Sequence, residues 1–202
     1  MHLEVLVEEE SAEEALKALI PRIVPSTSFR VHRFSGKRDL LGKLSRRLGA
    51  YRSMQWDELR VVVLVDEDRQ NCQTLKLELE DAARQAQLET KTSSRGGSFQ
   101  VLNRIAVEEL EAWFFGDAEA ISAAYPGVSP SLSKRSRFRD PDNIGGGTWE
   151  ALEKVLQNAG YHRGGLAKIK AAREIARHME PERNTSHSFH VFRDGLVALV
   201  ST

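Results

Sequence analysis

The sequence predicts an α/β fold in which a mostly parallel sheet is flanked by helices and followed by a helical C-terminal extension. Three observations carry this expectation. Val61, Val62, Val63, Leu64 and Val65 form an unbroken β-branched apolar run, and continuity rather than alternation marks a parallel strand buried on both faces. Strand-like segments alternate with amphipathic helical ones through the first half of the chain, the pattern of βαβ units. Three of the strands end in acidic residues: Glu8, then Asp66 with Asp68, then Glu108 to Glu111. Ligands of open α/β sheets bind outside the carboxyl ends of the strands, so these ends are where a site would be built.

Leu3 to Val7 reads as the first strand. Ser11, with Glu14 three residues on, suggests a capping box for a helix from Ala12 to about Leu19, limited by Pro21. Phe29 to Phe34 alternates apolar and polar residues, as a second strand with one polar face. His32 falls on that face without a neighbour at ligand spacing and reads as an ordinary surface residue. Gly36 precedes a helix from Lys37 to Tyr51 whose stripe is Leu40, Leu41, Leu44 and Leu48. Lys37, Arg38, Lys43, Arg46, Arg47 and Arg52 form its basic rim, suited to a phosphate backbone or simply to solvent.

After the central strand, Asn71 to Ala86 forms a helix in which Cys72 sits at the inward edge as a small core residue. Leu88 to Thr92 suggests a short edge strand, and Phe99 to Val107 a further strand. A helix is expected from Gly116 to Tyr125, ended by Pro126-Gly127. These elements make a core over residues 1–127. Residues 128–147 are rich in Ser, Pro, Gly and basic groups and read as a loop, with Lys134, Arg135, Arg137 and Arg139 available to nucleic acid. Thr148 is the expected cap of the next helix, Leu166 to Met179 and a segment ending at Leu199 follow, and residues 148–202 form the helical extension. His187 and His190 lack a compatible third ligand and read as polar residues near a cap.

Composition removes several classes of function. The 29 basic and 29 acidic residues cancel, so nucleic-acid contact requires a local basic patch. A single cysteine rules out an internal disulfide framework and a cysteine-based zinc cluster. No basic segment followed by a long apolar one opens the chain, and no span reaches membrane-helix length, so a soluble cytoplasmic protein is expected. The acidic strand ends matter more. Like charges brought together are costly unless cations neutralise them, and hard oxygen donors without a histidine cluster favour Mg²⁺ or Mn²⁺.

The order of a strand ending in Glu8 and a strand ending in Asp66-Glu67-Asp68 resembles the Toprim fold of topoisomerases, primases and OLD-type nucleases. The segments V-E-E-E-S-A-E-E-A, V-L-V-D-E-D-R-Q-N-C, E-E-L-E-A-W-F-F-G-D, G-G-G-T-W-E-A-L-E and N-T-S-H-S-F-H-V-F resemble more closely a bacterial Toprim-like domain-of-unknown-function family (DUF4276-like), similar in character to RloB-like proteins. The resemblance spans nearly the whole chain. It implies a Toprim-like, Rossmann-like core, with Glu8 as its glutamate and Asp66 and Asp68 as the metal-binding pair. Glu111, with Glu108 close behind, would be the later acidic ligand and Lys168 the catalytic lysine. The second glutamate of OLD-type nucleases falls on Ala12, with Glu13 beside it, so that one metal would suffice or Glu9 or Glu13 would compensate.

The function expected from this is Mg²⁺- or Mn²⁺-dependent phosphodiester hydrolysis on DNA or RNA, with Glu8 as general base or ligand and Asp66 and Asp68 holding the ion. Analogy with defence-system effectors implies a separate ATPase partner and allows a homo-oligomer. A catalytically inactive or partner-dependent binding subunit is the alternative. A haloacid-dehalogenase-like phosphatase fits less well, because Arg69 follows Asp68 and Glu8 would have no role; a sugar-nucleotide transferase has only Asp-x-Asp in its favour.

Overall fold

The apolar run at 61–65 lies in the central part of a four-stranded, all-parallel sheet. In the computed structural model, which describes residues 1–68 and 70–201, the strands are β1 (His2–Val7), β2 (Ser28–Arg33), β3 (Leu59–Asp66) and β4 (Val101–Ala106). Their order is β2-β1-β3-β4. β1 pairs with β2 on one side and β3 on the other, with Val7 opposite both Arg33 and Leu64. The order therefore reverses at β1/β3, and a crevice opens beyond the carboxyl ends of those two strands.

Alternation along the strands divides the interior in two. Leu3, Val5, Val7, Val62 and Leu64 face one layer, which includes α1 (Glu10–Ile23), α4 (Glu111–Phe115), α5 (Ala118–Ala124), α6 (Thr148–Asn158), α7 (Lys168–Ala176) and α8 (His187–Val200). Leu6, Val61, Val63 and Val65 face α2 (Lys37–Ser53) and α3 (Cys72–Gln85). The helices after residue 148 share the first of these cores: Leu152, Ile175, Phe189 and Phe192 are buried with Val5 and Leu16.

Several local expectations are corrected. Helix α1 begins at Glu10, so Ser11 lies inside it, buried, with its hydroxyl on the Glu9 carboxylate instead of capping. The helix also runs through Pro21 to Ile23. Proline removes one donor near the end, while Leu19 and Ile20 are fully buried and Val24 N–H closes the turn on the Ile20 carbonyl at 2.8 Å. Residues 88–92 make only an isolated bridge, Thr90 to Val101. The chain turns directly after Thr90, with the Ser94 N–H on the Thr90 carbonyl at 3.0 Å, so no further pair follows.

The helix expected over 116–125 is α5, trimmed to Ala118–Ala124 and set off from α4 by Gly116 and Asp117. Asp117 accepts from Ala120 N–H, starting α5, and holds Arg183 through both carboxylate oxygens at 2.8 and 2.9 Å. α6 is preceded by Gly147, and Thr148 is its first residue. The helix expected over 166–179 contracts to Lys168–Ala176. Residues 128–147 contain three short 3-10 turns, with Leu132, Phe138 and Ile144 buried in the core. His32 is half-buried, its ring bound to Glu4 and facing Arg47. Cys72 is only partly covered.

Gly116 allows α4 to meet the segment before α8. A Cβ there would lie 2.1 Å from Asn184 Oδ1 and 2.9 Å from the Ser186 nitrogen. Gly116→Ala is expected to destabilise the fold by about 1–3 kcal/mol through overpacking. A urea midpoint equal to wild type would contradict this.

Candidate functional site

Sequence order explains why acidic side chains meet at the β1/β3 crevice: each strand that reaches it ends in a carboxylate. Glu8 follows β1, and its Oε1 accepts from the Asp66 N–H at 2.6 Å. That bond fixes Glu8 across the switch point from the last residue of β3. Glu8 is 7% exposed. Burial raises its pKa, opposed by the Asp66 N–H and the Lys37 charge and reinforced by Asp68 and Glu9.

Asp66 is half-buried, and its pKa lies well above the ordinary carboxylate value. Burial is the largest cause, followed by the charges of Glu111, Glu8, Glu9 and Asp68. Glu111 is 2% exposed. Its pKa is raised to about 7 by burial, with Lys168 opposing and Glu109 and Glu9 adding to the shift. Glu111 Oε2 is buried without a hydrogen-bond partner.

Two lysines answer this charge. Gly36, at φ +92°, turns the chain from β2 into α2, and its N–H bonds the Glu8 carbonyl at 2.9 Å. That turn delivers Lys37, whose Nζ lies 2.8 Å from Asp68 Oδ2 and 3.2 Å from the Glu67 carbonyl. From α7, Lys168 Nζ lies 3.9 Å from Glu111 Oε1 and 5.1 Å from the centre of the Trp149 ring. Burial alone would lower the Lys168 pKa, but the charges of Glu111, Glu9, Glu109 and Asp66 outweigh it and raise it.

The rim is stitched between β3 and β4. Asp68 N–H donates to the Glu108 carbonyl at 2.9 Å, and Glu108 N–H donates to Glu67 Oε2 at 3.1 Å. Asp68 and Glu108 both hold positive φ, +50° and +56°, an unfavourable state for residues with a Cβ. Beside them, Glu109 accepts from Thr148 Oγ1 at 2.9 Å and Trp149 N–H at 3.0 Å, tying β4 to the start of α6. Asp68, Glu108, Glu109, Gly147, Trp149 and Glu150 line a cavity of about 440 Å³.

The structure thus brings Glu8, Asp66, Asp68, Glu111 and Lys168 into one neighbourhood, with Glu108 on its rim. Among the described residues, no three His, Cys, Asp or Glu side chains are arranged to hold a metal ion in this conformation. The basic residues divide. Lys37 is in the site, and Arg38 lines a groove of about 640 Å³ that reaches Asp68. Arg46 is exposed. Arg47 turns away from the rim to Tyr51, its Nε 2.9 Å from the phenol oxygen. Lys134, Arg135, Arg137 and Arg139 all face solvent, with Arg137 near the Gly145 carbonyl at 3.4 Å.

Glu109 and Trp149 were not singled out by sequence. Glu109 looks like one more acid in a run, and only the folded chain shows that it caps a helix forty residues on. Trp149 carries no spacing signal that distinguishes a rim residue from a core one.

No curated protein and no solved structure matches the chain. No helix among the described residues is long and apolar enough to cross a membrane. A family model described as a domain of unknown function, DUF4276, matches residues 7–197, and over that span, which holds every residue of the acidic site, the chain belongs to that family.

Proposed function

We propose that this protein is a Mg²⁺- or Mn²⁺-dependent nuclease that hydrolyses phosphodiester bonds in DNA or RNA, on a core related to the Toprim domains of OLD-type nucleases and RloB-like proteins. One observation carries the reading: Asp66, half-buried at the sheet's switch point, feels the charges of Glu8, Glu9, Asp68 and Glu111 at once. Such convergence is unfavourable unless a cation or a proton relieves it. The partnerless Glu111 Oε2 supplies a free donor in the same place, and an all-oxygen set suits a hard divalent ion.

Glu8, Asp66 and Asp68 would hold the ion, with Glu111 and, at the rim, Glu108. When bound, the metal supplies an acidified water and neutralises phosphoryl oxygens. The chain's own groups do the rest. Glu8 has one oxygen fixed by the Asp66 N–H, leaving the other to accept a proton. Lys168 stabilises charge developing on the phosphate. Lys37, Arg38 and Arg46 follow the backbone along α2, and Lys134, Arg135, Arg137 and Arg139 add longer-range attraction. In this reading the protein is the effector of a defence system, works with a separate ATPase partner and self-associates.

A partner-dependent or catalytically inactive binding subunit is the second reading. It is favoured by the absence, among the described residues, of a ready three-ligand group and by the Lys37–Asp68 pair.

The test is cleavage of supercoiled, linear and single-stranded DNA and of RNA with Mg²⁺ or Mn²⁺, wild type beside Asp66→Ala. The expected result is metal-dependent cleavage reduced at least about a hundredfold in the variant. No cleavage by wild type on any substrate favours the subunit reading; equal cleavage by both proteins sinks the assigned site.

A further inference from the structure

At the opposite end of the sheet, a second cavity of about 250 Å³ opens beneath the amino end of β3. Arg60, the second residue of β3, lines it and is only 9% exposed. One arm of its guanidinium is anchored: Nη1 donates to the carbonyls of Asp57 at 2.7 Å and Leu59 at 3.1 Å. The Nε–H is buried and has no hydrogen-bond partner. A guanidinium held by one arm, with its Nε edge unmatched, is pre-oriented for a planar two-oxygen acceptor, and leaving a buried charged donor unmatched is costly.

The rest of the lining narrows the ligand. Arg52 adds a second cation, while Asp57 and Glu89 add two carboxylates. The helices α2 and α3 both finish at this end, and their last carbonyls also favour positive charge. A multiply charged anion is therefore disfavoured. A single carboxylate for Arg60, with an amine or amide beside it for the acidic groups and carbonyls, matches the pattern. Trp56, 48% exposed and stacked on His2 with ring centres 5.4 Å apart, offers an apolar wall. Two lining residues, Gln55 and Gln87, hold positive φ of +48° and +54°, backbone states that recur where a ligand is clamped.

We propose that this cavity is a binding site for a small amphoteric carboxylate of the amino-acid class, with Arg60 as its carboxylate anchor and Trp56 as the wall for its side chain. The site is independent of the acidic crevice, since Arg60 and Asp66 stand near opposite ends of the same strand.

The test is saturation-transfer NMR on the full chain with the set of proteinogenic amino acids, alongside acetate and inorganic phosphate. Arg60→Lys keeps the charge and removes the Nε edge; Trp56→Ala removes the wall while leaving Arg60 in place. The expected result is selective binding of one or a few amino acids, weakened at least about tenfold in each variant, with acetate and phosphate weaker. No binding by folded wild-type protein overturns the proposal, as does phosphate binding as tightly as any amino acid. Wild-type affinity in folded Arg60→Lys also overturns it.

Discussion

In EDTA the protein is expected to gain stability as the pH falls from about 8 to about 5.5, and Glu111→Gln to reduce that gain. Burial holds Glu111 protonated up to about 7 in the folded chain, against an ordinary value of 4.5. A carboxyl whose folded pKa is raised contributes stability that is complete below its unfolded pKa and disappears as the pH rises through the folded one. At about 1.4 kcal/mol per pKa unit, Glu111 alone accounts for about 2 kcal/mol across that window and for about 1.4 kcal/mol more on going down to pH 4.5. Asp66 and Glu8, both raised, act in the same direction.

His162 opposes the trend in the lower part of the window, because burial lowers its pKa and the folded state resists its protonation. Glu4, Glu14 and Asp39, whose pKa values are lowered, lose their contributions only below this window. At pH about 8, Glu111→Gln should raise the metal-free Tm by about 6–10 °C. Mn²⁺ should stabilise wild type there more than it stabilises the variant. A wild-type Tm that stays level or drops between pH 8 and 5.5 in EDTA would refute the charge arrangement assigned to the crevice.

Asp142→Ala is expected to cost about 3–5 kcal/mol and to release the segment at 128–147 to protease. Its carboxylate accepts from Ser186 Oγ at 2.7 Å, Ser188 N–H at 3.0 Å and Ser188 Oγ at 2.9 Å. Ser188 Oγ in turn accepts from Trp113 Nε1 at 2.9 Å, and Ser186 Oγ caps α8 through Phe189 N–H at 3.1 Å. One aspartate thus fastens the glycine-bearing segment to the start of α8 and to the buried tryptophan of α4. Its removal leaves several buried donors unmatched, which costs more than the bonds themselves contribute. Asp142→Asn retains one oxygen acceptor and should lose less. Urea unfolding and limited proteolysis measure both effects; wild-type values for Asp142→Ala would show that the segment is held by Leu132, Phe138 and Ile144 alone.

The strands and the long helices were legible in the amino-acid order because burial imposes a period on it. Val61 to Val65 reads as a central strand since both of its faces are covered, and Leu40, Leu44 and Leu48 mark the covered side of α2. The boundaries were less legible. Ser11, Pro21 and Thr148 each carry a local preference that tertiary packing overrides, and the strand expected at 88–92 is cut to one bridge by the turn that follows Thr90.

The acidic strand ends were readable for the same reason, since an open parallel sheet delivers its carboxyl ends to one edge whatever the loops do. Sequence by itself determined that Glu8, Asp66 and the 108–111 segment would share that edge. Only the tertiary structure decided which acids are covered and which are paired: Glu111 inside, Asp66 half-buried, Asp68 on Lys37, Glu109 on the start of α6. Periodicity records which face of an element is covered. The protonation and partners of a charged group depend on what covers it, and those neighbours lie tens of residues away along the chain.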